Sequence, residues 1–377
     1  MGALDGIRII EIAGIGPGPF CGMLLADMGA EVILVERVSA KMGDPLDLGK
    51  HAIVNRGKRS IALDLKDPKA IDAVLTLIAS ADGLIEGMRP GVMERLGLGP
   101  EVCLARNPGL VYGRMTGWGQ QGPLAQAAGH DLNYIALSGA LWYAGAPGTP
   151  PMAPPTLVGD LGGGALYLAM GILAGLLHAR VTGVGQVIDA AIVDGSANLM
   201  NLMLSLHAAG QQPFERGCGL LDGAHWNGAY ACADGLYVSV QALEPQFNTL
   251  LFDKLGLADD AQFKHPYDAR KWPELREKLA ALFATQPRQH WVTLLEGSDA
   301  CFAPVLTPRE AMAHPHMAAR AVYAERAGVL QAAAAPRFSS TPSINTSTVP
   351  ARGEHGSQIL RSAGLSEDEI TQLLIGG

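Results

Sequence analysis

Residues 7 to 36 alternate between two apolar, β-branched runs and one stretch of helical spacing, and this pattern restricts the chain more than any other. Ile7 to Ala13 reads as a strand and Gly14-Ile15-Gly16-Pro17-Gly18-Pro19 as a turn. Phe20 to Met28 then reads as a helix and Glu31 to Glu36 as a second strand, which makes a βαβ unit. The alternation continues: Ser60 to Leu65 is extended, Asp67 to Ser80 is helical behind the start signal Asp67-Pro68, and Gly83 to Glu86 is extended again. The first half is therefore expected to be α/β with a mainly parallel sheet.

Further along, the pattern changes twice. Gly162 to Ala179 and Asp189 to Ala209 are long and apolar, with Ala, Leu and Met on nearly every face, and are expected as buried or interface helices. Gln211 to Gly223, rich in Gly and polar residues, marks a boundary. Beyond it come short strands such as Gly235 to Ala242 and helices at Pro245 to Leu255, Pro273 to Thr285 and Gln289 to Glu296. Ala334 to Gly356 has the Pro, Ser and Thr content of an extended crossing segment, and Ser366 to Leu374 is a short terminal helix. The expected organisation is a large domain over 1–210, a smaller α+β domain over 225–310, and a segment over 325–377 that returns to the large domain.

Composition excludes several classes. With 48% hydrophobic and 17% charged residues, the chain has apolar material for a large core. Its 47 glycines and 24 prolines follow no fixed period and read as turns. Cys21, Cys103, Cys218, Cys232 and Cys301 form no C-x-x-C pair, so neither a disulfide framework nor a metal site is expected, and a reducing, cytoplasmic setting fits. No charged n-region followed by an apolar run opens the chain, Met1 to Gly6 lacks a myristoylation pattern, and Ile375-Gly376-Gly377 is not a Ser-Lys-Leu address. The uncharged run Leu161 to Leu177, with its early glycines, reads as a buried helix, so no membrane partner is expected. A formal charge of −8 argues against nucleic acid as a partner.

Two local features invite a ligand. Gly14, Gly16 and Gly18, with Glu36 closing the second strand, resemble a dinucleotide fingerprint, but Pro19 stands where that pattern needs Gly, and Pro17 removes an amide donor. The run Asn55-Arg56-Gly57-Lys58-Arg59-Ser60, with Arg37, Lys66 and Arg89, places cations at the ends of successive α/β elements, where ligands gather in such sheets. A solvated face is the commoner meaning of such a run. Because charge is scarce elsewhere, this excess is read as favouring a phosphate-bearing ligand.

These same segments, Ile9 to Pro19, Asn55 to Lys66, Arg89-Pro90-Gly91 and Asp189-Ala190-Ala191, resemble the type III CoA-transferase superfamily over essentially the whole chain. Three more select a branch. Met115 to Gln120 with Gly129 to Tyr134, Leu157 to Asp160 followed by Gly162-Gly163-Gly164, and Glu244-Pro245-Gln246-Phe247 are similar to the alpha-methylacyl-CoA racemase branch. The resemblance implies a Rossmann-like large domain, a smaller α+β domain and an interlocked homodimer. It implies a 2-methylacyl-CoA substrate, no separate cofactor because CoA is part of the substrate, and His130, Asp160 and Glu244 as catalytic residues. It assigns Arg37 to the 3′-phosphate region, Leu63, Leu65 and Arg89 to the adenosine and pyrophosphate neighbourhood, and Lys58 and Tyr134 to CoA contacts.

Such residues suit the chemistry. Racemising the carbon beside a thioester removes a weakly acidic proton from one face and returns one to the other, so two groups of matched basicity are needed. A neutral His near its usual pKa of about 6.5 serves one face, with Glu244 fixing its tautomer, from the other subunit in the interlocked dimer that the resemblance implies. Asp160, raised in pKa by burial, would serve the other. The resemblance further implies that the enolate oxygen lies against a helix N-terminus, with the backbone amide of Asp131 as its donor. Taken singly, each residue has a blander meaning: His130 as structural, Asp160 as the N-cap of a helix starting near Leu161, Glu244 as a helix-start residue. Met115, Met200 and Met203 are candidates for an adaptable acyl surface, or plain core. The rival chemistry is CoA transfer, with Asp160 as nucleophile forming a mixed anhydride. A noncatalytic acyl-CoA-binding protein is the third possibility.

Overall fold

A computed structural model of the chain describes residues 2–39, 48–343 and 348–375. Gly376 and Gly377 of the terminal tripeptide considered above, and residues 344–347 of the expected crossing segment, lie outside the described residues.

The described chain divides into two compact units. The first comprises Met1–Leu141, Ala153–Leu199 and Tyr323–Gly377, and the second Trp142–Met152 and Met200–Val322. In the first unit six strands, β1 (Arg8–Ile12), β2 (Glu31–Glu36), β3 (Arg59–Ala62), β4 (Gly83–Glu86), β5 (Val111–Thr116) and β6 (Gln186–Ala191), form one sheet in the order β3-β2-β1-β4-β5-β6. Every pairing in it is parallel. This is the doubly wound order, whose strand direction of travel reverses between β1 and β4.

Both faces of the sheet are covered, which is why its strands read as near-continuous apolar runs. Alternate residues go to opposite sides. Ile10, Ile12, Ile33, Val35, Leu84 and Tyr112 pack in one core with Val74, Leu77 and Ile78 of α2 (Pro68–Ile78). Ile7, Ile9, Val32, Ile85 and Val111 pack in the other with Cys21 and Leu25 of α1 (Pro17–Asp27) and Leu168 and Ile172 of a later helix, Leu166–Thr182. The start signal read at Asp67 operates as expected: its carboxylate accepts the Lys69 amide, and Pro68 occupies the first helical turn.

Glu11 breaks the apolar pattern of β1. Its carboxylate is completely buried and binds the equally buried Lys58 ammonium at 2.7 Å. Lys58 also donates to the Pro19 carbonyl at 3.0 Å and to Asn55 Oδ1 at 3.2 Å. A Cβ on Gly22 of α1 would stand 1.8 Å from Glu11 Oε2, so glycine is needed there in spite of its poor helix propensity.

Three expectations are corrected. The stretch from Asp189 to Ala209 is not one helix: Gln186–Ala191 is the edge strand β6, and two short helices follow, Ile192–Leu199 and Asn201–Ala208. An edge strand that is exposed at its start and buried at its end carries a composition similar to that of an apolar helix, and pairing with β5 decides between them. The long helix Leu166–Thr182 is not simply buried, because Leu166, Met170, Leu177 and Val181 are more than half exposed. Finally, Arg56, Lys58 and Arg59 do not form an outward basic patch, because Arg56 and Lys58 pair with Asp27 and Glu11 and Arg59 shares Glu31 with Arg8.

The second unit has a three-stranded antiparallel sheet of β7 (Asn227–Ala231), β8 (Tyr237–Gln241) and β9 (Phe302–Val305), in that order. Its core gathers Trp226, Tyr230, Val238, Phe283 and Trp291, with residues from the helices Pro245–Lys254, Trp272–Phe283 and Arg288–Leu295.

Removing Lys58 strands a carboxylate in the core. Lys58→Met is expected to cost about 3–5 kcal/mol in urea unfolding, whereas the paired change Glu11→Leu with Lys58→Met recovers most of that loss. A single variant as stable as the unmodified protein would contradict the account.

Candidate active site

A doubly wound sheet collects ligands beyond the carboxyl ends of its strands, at the switch point. Here β1 and β4 are the strands on either side of that point. A cavity of about 560 Å³ lies there, and its wall takes Ile15, Gly16 and Pro17 from the turn after β1, Gly87 to Pro90 from the loop after β4, and Met115 to Trp118 from the end of β5. His130, Asp131, Tyr134 and Asp160 complete the functional part of the lining. Four of the residues expected from sequence, together with Arg89, therefore converge on one cavity.

Two short elements carry the ionisable groups. His130 precedes the helix α5, here numbered after two short helices α3 (Val92–Arg95) and α4 (Pro100–Arg106), and covering Asp131–Leu137. Its extended backbone turns into the helix, and its amide donates to Asn133 Oδ1 at 3.1 Å. Asp160 sits in a wide π-helical segment, Leu157–Ala165, that runs into the helix Leu166–Thr182. It is therefore not an N-cap, as expected above. Thr156 holds that position, and the wide turn keeps Asp160 inside the helical path with its side chain at the cavity.

The side chain of Asp131 is engaged as well. Its buried carboxylate accepts the amides of Gly159 at 2.9 Å and Asp160 at 2.8 Å, both on Oδ1. A Cβ on Gly159 would stand 2.5 Å from that oxygen, so the contact needs glycine. The sequence reading of Asp131 stopped at its amide. No local signal in the sequence announces this contact, because the partners lie 28 and 29 residues from Asp131.

Burial pushes the Asp160 carboxyl up to about 6, with the negative charge of Asp131 adding to the rise and His130 opposing it. On the turn after β1, a Cβ at Gly16 would come to 3.5 Å from Asp160 Oδ2, so that turn meets Asp160 without adding charge. Tyr134 and Trp118 meet in a T-shaped contact with centroids 4.7 Å apart, and the Tyr134 hydroxyl donates to the Gly129 carbonyl. The Tyr134 phenol is raised by burial and by Asp160. Behind the loop that carries Arg89, the buried Glu86 carboxylate accepts the Met88 amide at 2.7 Å and binds Arg114 Nε at 2.9 Å.

The remaining expected residues divide. Arg37 follows β2, and Leu63 and Leu65 follow β3, so with Arg89 after β4 they lie along the carboxyl edge of the sheet. Three strand spacings separate β3 from β4, which is about 14 Å. Arg37, Lys66 and Arg89 are exposed. Leu63, however, gives its side chain to the core, which leaves only its backbone for a ligand contact. Lys58 is corrected as a CoA contact: its ammonium is completely enclosed by Glu11, Pro19 and Asn55. Glu244 belongs to the second unit, where it is exposed at the start of the helix Pro245–Lys254 and its carbonyl accepts the Asn248 amide. Met115 lines the cavity, whereas Met200 and Met203 belong to the second unit.

The chain is similar to known proteins over nearly its whole length. The description "CoA-transferase family III" matches residues 4–356. An alpha-methylacyl-CoA racemase of Mus musculus is 41% identical over 373 residues, 98% of this chain and 96% of that protein. A succinyl-CoA–D-citramalate CoA-transferase of Chloroflexus aurantiacus is 32% identical over 390 residues, 98% of this chain and 96% of that protein. Among solved structures, a CAIB/BAIF family protein from Brucella suis superposes with a TM-score of 0.82 at 28% identity, over 96% of this chain and 99% of that one.

Gly159→Ala is expected to unlatch Asp131 from the π-helical segment. Hydrogen–deuterium exchange of a peptide covering 157–165 should then accelerate about tenfold or more, while peptides of β1 and β4 keep their protection. Unchanged protection of 157–165 would count against the latch.

Proposed function

This chain belongs to CoA-transferase family III, and from that premise we propose that it interconverts the (2R) and (2S) forms of 2-methylacyl-CoA thioesters by moving a proton on and off C2. The observation that carries the reading is the cavity in which His130 and Asp160 meet, with the Asp160 carboxyl held near 6 by burial and a neighbouring carboxylate. A base that works near neutral pH needs such a value.

In the forward direction neutral His130 takes the C2 proton while protonated Asp160 delivers one to the opposite face. In reverse, Asp160 is the carboxylate base and His130 the imidazolium acid, so one proton count serves both directions. The enolate oxygen formed between them takes a hydrogen bond from the Asp131 amide. No separate cofactor enters this scheme, because CoA is part of the substrate. The carboxyl edge from Leu65 to Arg89 takes the nucleotide end, with Arg37 and Arg89 as its cations, and binding there holds the thioester at the two bases.

The proposal extends to a homodimer in which Glu244 of one copy orients His130 of the partner subunit. Its support is the apolar surface left bare: Leu166, Met170, Leu177 and Val181 on the helix Leu166–Thr182, and Leu202 and Leu204 on Asn201–Ala208. Surface of that kind marks an interaction site.

The family also contains CoA-transferases, such as the Chloroflexus relative. In that chemistry Asp160 attacks the thioester and His130 has no necessary part. Incubating a single-epimer 2-methylacyl-CoA in heavy water, without an acceptor acid, separates the two. Deuterium at C2 with loss of stereochemical purity is expected, and His130→Ala should lower it by about 10²–10⁴-fold with CoA binding nearly intact. No exchange, followed by CoA movement once a free carboxylic acid is added, would make the protein a transferase. For the dimer, mixing His130→Ala and Glu244→Gln chains should restore exchange in the mixed species, and no recovery would contradict sharing of the site.

A further inference from the structure

We infer that the Asp131 carboxylate is a positioning residue for Asp160: it latches the segment that carries Asp160 to the segment that carries His130, and sets a second carboxylate beside Asp160. This deepens the proposed proton transfer and rests on it.

Geometry carries the first half. Asp131 directly follows His130 and opens α5, while its Oδ1 accepts the Gly159 and Asp160 amides at 2.9 and 2.8 Å. One carboxylate thus joins two segments 29 residues apart in sequence, each holding one of the proposed bases. Hydrogen bonds from amides to a carboxylate oxygen are stronger than neutral ones, and this one is 8% exposed, so little water competes with it. A fixed distance between two bases is what transfer across a flat enolate requires.

Charge carries the second half. The groups that face Asp160 are Asp131 and His130, with Tyr134 and Arg89 further along the cavity wall. Gly16 and Pro17 at the start of α1, and Ile192 of the helix Ile192–Leu199, bring no charge. Asp131 is therefore the anionic neighbour whose repulsion adds to burial.

The two halves separate by substitution. Asp131→Asn keeps an oxygen for both amides and removes the charge, whereas Asp131→Ala removes both. Two readouts are needed: the Asp160 titration, followed by carbon-13 NMR of carboxyl-labelled aspartate and assigned with Asp160→Asn, and the pH profile of C2 deuterium exchange from each epimer. In Asp131→Asn the Asp160 midpoint should fall toward the ordinary value of about 4. From the epimer whose proton Asp160 removes, activity needs the carboxylate, so the limb rising with pH moves to lower pH. From the other epimer activity needs the acid form, so the falling limb moves to lower pH as well. Asp131→Ala should lose about tenfold or more in kcat with KM nearly unchanged.

An Asp160 midpoint in Asp131→Asn equal to that of the unmodified protein would overturn the electrostatic half, and full kcat in Asp131→Ala would overturn the latch. If the unmodified protein exchanged no C2 proton, the proposed reaction would fail by itself. The NMR midpoint would still decide what Asp131 does to Asp160.

Discussion

A carboxylate and an ammonium, both wholly removed from water, meet where β1, α1 and the approach to β3 come together, and much of the first unit is arranged around that pair. Glu11 occupies a position on β1 that pattern alone would give to a hydrocarbon, and Lys58 answers it from another part of the sheet. Ion pairs of this kind are costly to bury and costlier still to break. The contact of Lys58 to the Pro19 carbonyl ties the pair to the first turn of α1. The turn just before it carries Ile15, Gly16 and Pro17 into the cavity wall, so a buried charge under the sheet braces the floor of the site.

Above that floor, the site is assembled from loops that the strand order alone brings together. The switch between β1 and β4 opens the crevice, and the segments bearing His130 and Asp160 close it from outside the sheet. Two buried carboxylates there have fixed partners: Glu86 with Arg114 behind the Arg89 loop, and Asp131 with the amides of the π-helical segment. The polar groups are thus held by one another, and the reacting position is left to the two side chains whose ionisation matters.

Much of this was legible in the sequence. β1, β2 and β4 showed as apolar runs between turns, and Asp67-Pro68 marked a helix start, because local signals and tertiary contacts agree there. The failures fall where long-range contacts decide. Gln186–Ala191 runs without a break into a helix of the same apolar composition, and only its ladder with β5 makes it a strand. Asp160 looked like a cap because Leu161 begins a helical pattern, and nothing local announces a π-helical turn. Of the site, the convergence of His130, Asp131, Tyr134, Asp160 and Arg89 followed from motif resemblance. The Asp131 carboxylate did not, since its partners lie 28 and 29 residues away.

The cancelled cations have a practical side. Arg56, Lys58 and Arg59 form the most conspicuous basic cluster in the chain, yet each is spent on a carboxylate of the same fold. They are architecture rather than recognition. Anyone retailoring the protein toward a ligand with a different anionic handle would gain nothing by editing that run and would risk the scaffold. The adjustable positions are the sparse, solvent-facing ones, Arg37, Lys66 and Arg89, where a charge can be moved without disturbing what holds the sheet together.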